Sequence, residues 1–462
     1  MLVNNGAQAL RDFSEKLNKE TVVQVTGGVW FVFGLGLSNA VFIEGETGVI
    51  LIDTLDSPER GTKLSEIIQK CTNKEVKTIL YTHSHPDHTG GAGAFAGSKP
   101  EVIAFAPVKQ PLERSALLQE VLNRRAIQQF GYFLSDEEAI SQGSGPREGI
   151  SRGERRTPLP PTTIYEQDKV TRIFDGVEIE LVRLPGETDD HIMIWLPEKK
   201  VLCCGDNYYA CFPNLYAIRG GEYRNITSWI NSLDVLRSYP AECLLPGHTE
   251  AVIGHEAIQE TLKNYRDALD YLLTETLTAI NQGKSPEQIA AQLRLPEEYV
   301  TLPYLGEFYG CVEWTVREIY AAYVGWFDGN PANLHPLTPK QRGEKLLALM
   351  GGSEKVLSAA QAALQDREYQ WCLELCDILM AEGAGASKAL LTKAEALLGI
   401  AEYETSANDR HYYIACAKAL QDCIQKGQSG ETLCPRTAKD QIRRKQKSGA
   451  AMLLRFLRSF YA

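Results

Sequence analysis

Thr82-His83-Ser84-His85-Pro86-Asp87-His88-Thr89-Gly90-Gly91 decides how this chain is read. It closes Val76 to Thr82, a short apolar run with the look of a buried strand. The whole chain has 8 histidines, and His83, His85 and His88 fall here beside Asp87, so chance clustering is a poor account. Imidazole and carboxylate together suit zinc or a similar first-row ion. On a strand His83 and His85 face the same way and can share one ion. Asp87 and His88, in the turn that follows, can reach a second ion beside it. Gly90-Gly91 lets the backbone fold closely around the pair.

A catalytic metal needs more ligands than this loop supplies, and suitable groups recur downstream. Glu187 follows Leu184-Pro185-Gly186, Asp206 follows Cys203-Cys204-Gly205, and His248 follows Leu245-Pro246-Gly247. Each comes after an apolar strand and next to a glycine, which places all of them at one sheet edge. Asp206 is the expected bridge between two metals. His191, at the start of a strand just after Glu187, is a weaker candidate, and His255, His335 and His411 read as structural.

Around these motifs the first part of the chain alternates β-rich runs with turns: Thr21 to Thr26, Val29 to Phe33, Asn39 to Glu44, Val49 to Asp53 and Glu101 to Ala106. Ser57 to Cys71 is amphipathic and helical, and Leu112 to Phe130 looks helical. Ser141 to Pro161, rich in Gly, Pro, Ser and Arg, reads as a long ordered loop of the kind that is often functional. Strands resume at Val177 to Leu184, His191 to Leu196, Lys200 to Cys204 and Glu242 to Leu245. From about residue 255 the pattern is helical: Ala257 to Gln282, Val312 to Val324, Pro339 to Met350, Ser353 to Gln365, Tyr369 to Ala381, Ala386 to Leu398 and Asp409 to Cys423. The basic run Arg436 to Arg458 reads as a solvated end.

Composition narrows the classes. The 462 residues, 44% hydrophobic and 23% charged, suit two or three globular domains. A net charge of −11 argues against a general nucleic-acid binder. Residues 1 to 20 carry no apolar core of a secretory signal and no apolar run is long enough to span a bilayer, so a cytoplasmic protein without a membrane span is expected. The 11 cysteines read as reduced, buried thiols.

The order His-x-His-x-Asp-His, then Glu187 after Pro-Gly, then Gly-Asp, then Pro-Gly-His resembles the metallo-β-lactamase superfamily. Glutamate at position 187 is the variant of its alkylsulfatase branch, which hydrolyses linear alkyl sulfates such as dodecyl sulfate. Phe42 to Asp53, Asn214 to Gly220, Tyr304 to Gly310 and Gly325 to Pro331 are similar to further segments of that branch. The resemblance covers roughly residues 20 to 425. The chain departs from the pattern at Asp206, Pro213 and Ala217, where the family usually has glutamate, often histidine, and threonine.

The resemblance implies an α+β fold: an αβ/βα sandwich over 1–285, an all-α dimerisation domain over 286–426 and a basic tail over 427–462. It implies a homodimer, and two zinc ions held by His83, His85, Asp87, His88, Glu187, Asp206 and His248. It also implies a water activated between the metals, with Asp87 or Glu187 taking its proton. Arg219 and Asn214 are the expected contacts of the anionic sulfate, and an aliphatic tail is expected along apolar residues of the helical domain. The rivals are a thioesterase or glyoxalase II-like hydrolase on the same fold, and a non-catalytic dimeric binding protein.

Overall fold

The computed structural model describes residues 5–109, 115–381 and 387–425, so the basic tail lies outside the described residues. The first sheet contains β1 (Thr21–Thr26), β2 (Val29–Phe33), β3 (Ala40–Glu44), β4 (Val49–Ile52), β5 (Val76–Leu80), β6 (Glu101–Phe105) and β7 (Thr163–Tyr165), in sequence order. β1 to β4 pair antiparallel, and β4 to β7 pair parallel. The second sheet contains β8 (Lys169–Phe174), β9 (Val177–Arg183), β10 (Ile192–Leu196), β11 (Val201–Gly205), β12 (Cys243–Pro246) and β13 (Val252–Ile253), again in order. Within it only β11 and β12 run parallel.

Strand alternation builds the layers. On β4, Ile50 and Ile52 enter the core between the sheets, with Phe31, Ile103, Ile179 and Ile194. Leu51, between them in sequence, faces outward onto Leu64 and Ile68 of the helix Pro58–Thr72. Ser57 caps that helix by accepting from the Arg60 N–H at 3.3 Å, and Pro58 occupies its first turn. The second sheet is covered the same way by the helices Ile226–Arg237 and His255–Asn281, through Trp195, Leu202, Trp229 and Leu262. The result is an αβ/βα sandwich.

Parallel pairing is what positions the site. The carboxyl ends of β4, β5, β11 and β12 converge on one edge, where open α/β sheets bind ligands. Main-chain hydrogen bonds stitch the sheets together there: Ile192 N–H to the Thr82 carbonyl at 2.9 Å and Asn39 N–H to the Gly247 carbonyl at 2.7 Å.

The helices Pro286–Gln292 and Val312–Val324 pack on His255–Asn281 and share the core outside the second sheet. Five later helices, Pro339–Met350, Ser353–Gln365, Tyr369–Ala381, Ser387–Tyr403 and Ala407–Gln425, enclose a core of their own around Leu347, Leu375, Leu390 and Leu420. The last of them docks against the helix Gln119–Gln129. That helix is shorter than the run Leu112 to Phe130 suggests: Ser115–Leu118 is a single 3-10 turn, and 110–114 lie outside the described residues. The segment from Ser141 to Pro161 is a loop with one 3-10 turn, Gly149–Arg152. Every cysteine among the described residues is free, and none of the described helices is long and apolar enough to cross a membrane.

Candidate metal centre and anion pocket

The β4 to β5 pairing brings Asp53 under the histidine segment. Its Oδ1 accepts from the Thr82 backbone N–H at 2.9 Å and its Oδ2 from the Thr82 hydroxyl at 2.7 Å. The same carboxylate lies 2.7 Å from His88 Nδ1. That hydrogen bond keeps the His88 proton on Nδ1 and turns Nε2 toward the site, the carboxylate–imidazole arrangement that orients metal-ligating histidines. His248 is fixed similarly, with Nδ1 2.8 Å from the Leu37 carbonyl. His83 Nε2 and His85 Nδ1 are 2.9 Å apart.

The structure brings all the expected ligands together. His83, His85, Glu187 and Asp206 form one group and Asp87, His88 and His248 a second, with the ligand atoms in each within 4.8 Å of one another. Asp206 stands where the groups meet: Oδ2 is 3.7 Å from His83 Nε2 and 3.1 Å from His248 Nε2, while Oδ1 is 3.3 Å from His88 Nε2. Asp87 Oδ2 is 3.5 Å from Nε2 of both His88 and His248. Gly247 permits this crowding, since a Cβ there would sit 2.1 Å from Asp206 Oδ1.

Burial lowers the pKa of His83 and His85, which favours the neutral, ligating imidazole. Burial opposes the charge on Asp206, but the imidazoles of His248, His88 and His83 hold its carboxyl well below the usual range. His191 plays a different part from the one entertained for it. Its Nε2 accepts from the Asp206 backbone N–H at 2.9 Å, so it props the end of β11 and has no lone pair left there for an ion. His411 is buried between the carbonyls of Gln129 and Ala139 at 3.1 and 2.8 Å.

A cavity of about 430 Å³ opens over both groups. Asn214, Arg219 and Arg224 line its polar end. The Arg219 backbone N–H donates to Gln129 Oε1 at 2.8 Å, and its guanidinium reaches the Gly220 carbonyl at 2.9 Å. Arg224 escapes the sequence reading. It is nearly buried, ion-paired to Glu187, and it also donates to the Asn214 carbonyl. Burial pushes Glu187 up to about 8, against the pull of Arg224. The lining also has an apolar part: Leu37, Leu122, Ala126, Ile127, Phe130 and Ile150. Apart from Leu37, between β2 and β3, this lining comes from the helix Gln119–Gln129, the residue after it and the 141–161 loop, so the expectation of a tail lying along the helical domain does not match; Tyr309 is that region's one lining residue among those described.

A sandwich of this topology with its His, Asp and Glu cluster at the strand ends is the metallo-β-lactamase architecture. The family description "Metallo-beta-lactamase superfamily" matches residues 33–248, and "Alkyl sulfatase dimerisation" matches 285–422. A linear primary-alkylsulfatase from Pseudomonas sp. is 32% identical over 396 residues, 83% of this chain and 74% of the relative. An alkyl/aryl-sulfatase from Saccharomyces cerevisiae is 31% identical over 422 residues, 88% of this chain and 65% of that protein. The solved structure of a stereoselective inverting sec-alkylsulfatase from Pseudomonas sp. superposes with a TM-score of 0.79 at 28% identity, over 89% of this chain and 67% of that one. The chain belongs to the alkylsulfatases of the metallo-β-lactamase superfamily and is a sulfuric ester hydrolase.

Proposed function

We propose that this enzyme cleaves sulfate esters of linear alkyl alcohols at a site that holds two zinc ions. What carries the reading is the pair of abutting ligand groups with Asp206 between them and an anion pocket alongside. The residues fit the ions. His88 Nε2, Glu187 Oε2 and Asp206 Oδ1 are buried with no hydrogen-bond partner. Such orphaned atoms are costly in a dry site unless a cation satisfies them. Nitrogen and carboxylate donors in this number exceed one tetrahedral site.

Bound zinc would lower the pKa of water from about 15.7 toward neutrality. The protein's own groups do the rest. Asp87 and Glu187 are the carboxylates on the cavity wall placed to accept the proton of the attacking water. Arg219 pairs with the sulfate through its N–H donors, and Asn214 adds an amide. The apolar wall from Leu122 to Phe130 receives the alkyl chain and excludes water around it. The division at 285/286 and the homodimer belong to the same proposal, supported by the dimerisation match over 285–422.

The test is turnover of dodecyl sulfate by the purified protein, before and after chelation, with elemental analysis alongside. Turnover that needs about two zinc-class ions per chain is expected. Full activity in metal-free protein would overturn the two-ion reading. Turnover of acyl-thioesters in place of alkyl sulfates would overturn the substrate.

A further inference from the structure

We infer that Tyr132, Glu148 and Arg156 form a second polar subsite in the cavity, which takes a neutral oxygen acceptor, such as an ether oxygen, carried on the chain of the sulfate ester. The inference rests on the proposed sulfate ester substrate and narrows its class.

The three residues line the cavity next to its apolar part. Phe130-Gly131-Tyr132 and Glu148-Gly149-Ile150 each set an apolar lining residue beside a polar one. The Phe130 and Tyr132 rings stack with centroids 5.6 Å apart. A chain that runs along Phe130 therefore meets the polar trio. The Tyr132 hydroxyl donates to Glu148 Oε2 at 3.0 Å and accepts from Arg156 Nη2 at 3.2 Å. Arg156 Nη2 also donates to the same Glu148 oxygen. Among the described residues, both hydrogen bonds of the guanidinium thus use one nitrogen, and Nε is buried with no partner. The rest of the fork has donors to offer and no protein acceptor. The Arg156 side chain is 14% exposed against 3% for Glu148, so the guanidinium is the member of the pair that a ligand can reach.

The long loop holds this group in place. Arg147 donates to the Gly131 carbonyl at 2.8 Å and to the Leu134 carbonyl at 3.0 Å, on either side of Tyr132. The Gly149 N–H donates to Asp56 Oδ2 at 2.5 Å. Thr157 is tied to the glycines that follow the histidine segment. Its N–H donates to the Gly90 carbonyl and its carbonyl accepts from the Gly93 N–H, both at 2.7 Å. Donors fixed in advance give up little freedom on binding.

Charge decides what the subsite takes. Burial pushes the Glu148 carboxyl up against the pull of Arg156, and it opposes the Arg156 charge that Glu148 sustains. As an ion pair the two carry no net charge. Asp87 lines the same cavity, so a second anionic group would meet repulsion that a neutral oxygen does not. A methylene chain at that spot would take water from the N–H groups and return no hydrogen bond, which costs free energy. An ether oxygen accepts one and adds no charge.

The test compares dodecyl sulfate with esters of equal chain length in which an ether oxygen replaces one methylene at successive positions. In a wholly apolar cavity every ether would be poorer than dodecyl sulfate by a similar factor. We expect one position to stand out, with kcat/KM about tenfold or more above the other ethers. In the double variant Arg156→Met with Glu148→Gln, which keeps an acceptor for Tyr132, that advantage should shrink to within about threefold, with zinc content matching the parent. Each readout is a ratio between substrates on one enzyme, so general damage cancels, and the parent profile tests the subsite even where the double variant misfolds. Ethers within about twofold of one another on an active parent, or a preference that survives the double variant, overturn the inference and leave the sulfatase reading standing. A parent inactive on every sulfate ester overturns that reading, and this inference with it.

Discussion

Arg219 lines the cavity beside the ligand groups, and under the proposed function it is the guanidinium that meets the sulfate, so substituting it separates anion recognition from ion binding. Arg219→Ala should cut kcat/KM on an alkyl sulfate about tenfold to a hundredfold, the worth of a charged hydrogen bond. Zinc content should be unchanged, and a neutral ester should be far less affected; equal losses on both substrates would count against the role. Asp53 acts on the other side of the site. It is buried, in contact with His88 and Thr82. Asp53→Ala frees the His88 ring, and partners of this kind are typically worth tenfold to a hundredfold in metal affinity, about the loss expected in a chelator competition. The histidine segment was legible because its ligands are neighbours in sequence. Asp53 and Arg224 were not. The first works through pairing of β4 with β5, the second through an ion pair with Glu187 across 37 residues, and neither carries a local spacing that marks it.

Among the elements, the helix Gln119–Gln129 lines the cavity with Leu122, Asn123, Ala126, Ile127 and Gln129, and under the proposed function it is the element that sets chain length. Leu122 and Ala126 lie one turn apart on its cavity face, with Phe130 following at its end. Filling that face with Ala126→Phe should shorten the longest alkyl sulfate turned over, read as a shift of kcat/KM from dodecyl toward hexyl sulfate. An unchanged chain-length profile would place the tail elsewhere. The strands were readable because β-branched residues alternate between two cores, as at Ile50, Leu51 and Ile52. The helix Ile226–Arg237 was passed over, although its signals are present: Asn225 caps it through the Thr227 and Ser228 N–H groups, and Ile226, Trp229, Ile230 and Leu233 repeat at helical spacing. The run Leu112 to Phe130 predicts a longer helix than Gln119–Gln129, because Leu117 and Leu118 continue an apolar pattern that the fold leaves exposed.

At the scale of the molecule, the helical region exposes large apolar side chains that a lone protomer does not cover. Trp326 is 74% exposed and Leu349 83%, with Leu334 and Leu337 also open. Large apolar side chains left this open are candidates for an interaction surface. Light scattering at micromolar concentration should report a dimer, and Trp326→Asp should shift it toward monomer if that patch is the interface. A dimer unmoved by the substitution would place the contact on another face.

The docking of the last helix also bears on modularity. His411 reaches the carbonyls of Gln129 and Ala139, and Gln129 in turn receives the backbone of Arg219. Cutting the chain after the sandwich would strip a buried partner from the segment that holds the backbone of Arg219. A truncated sandwich should therefore be nicked readily between 119 and 161 by a protease that leaves the full-length chain intact there. Through these contacts the sandwich and the last helix form one structural piece.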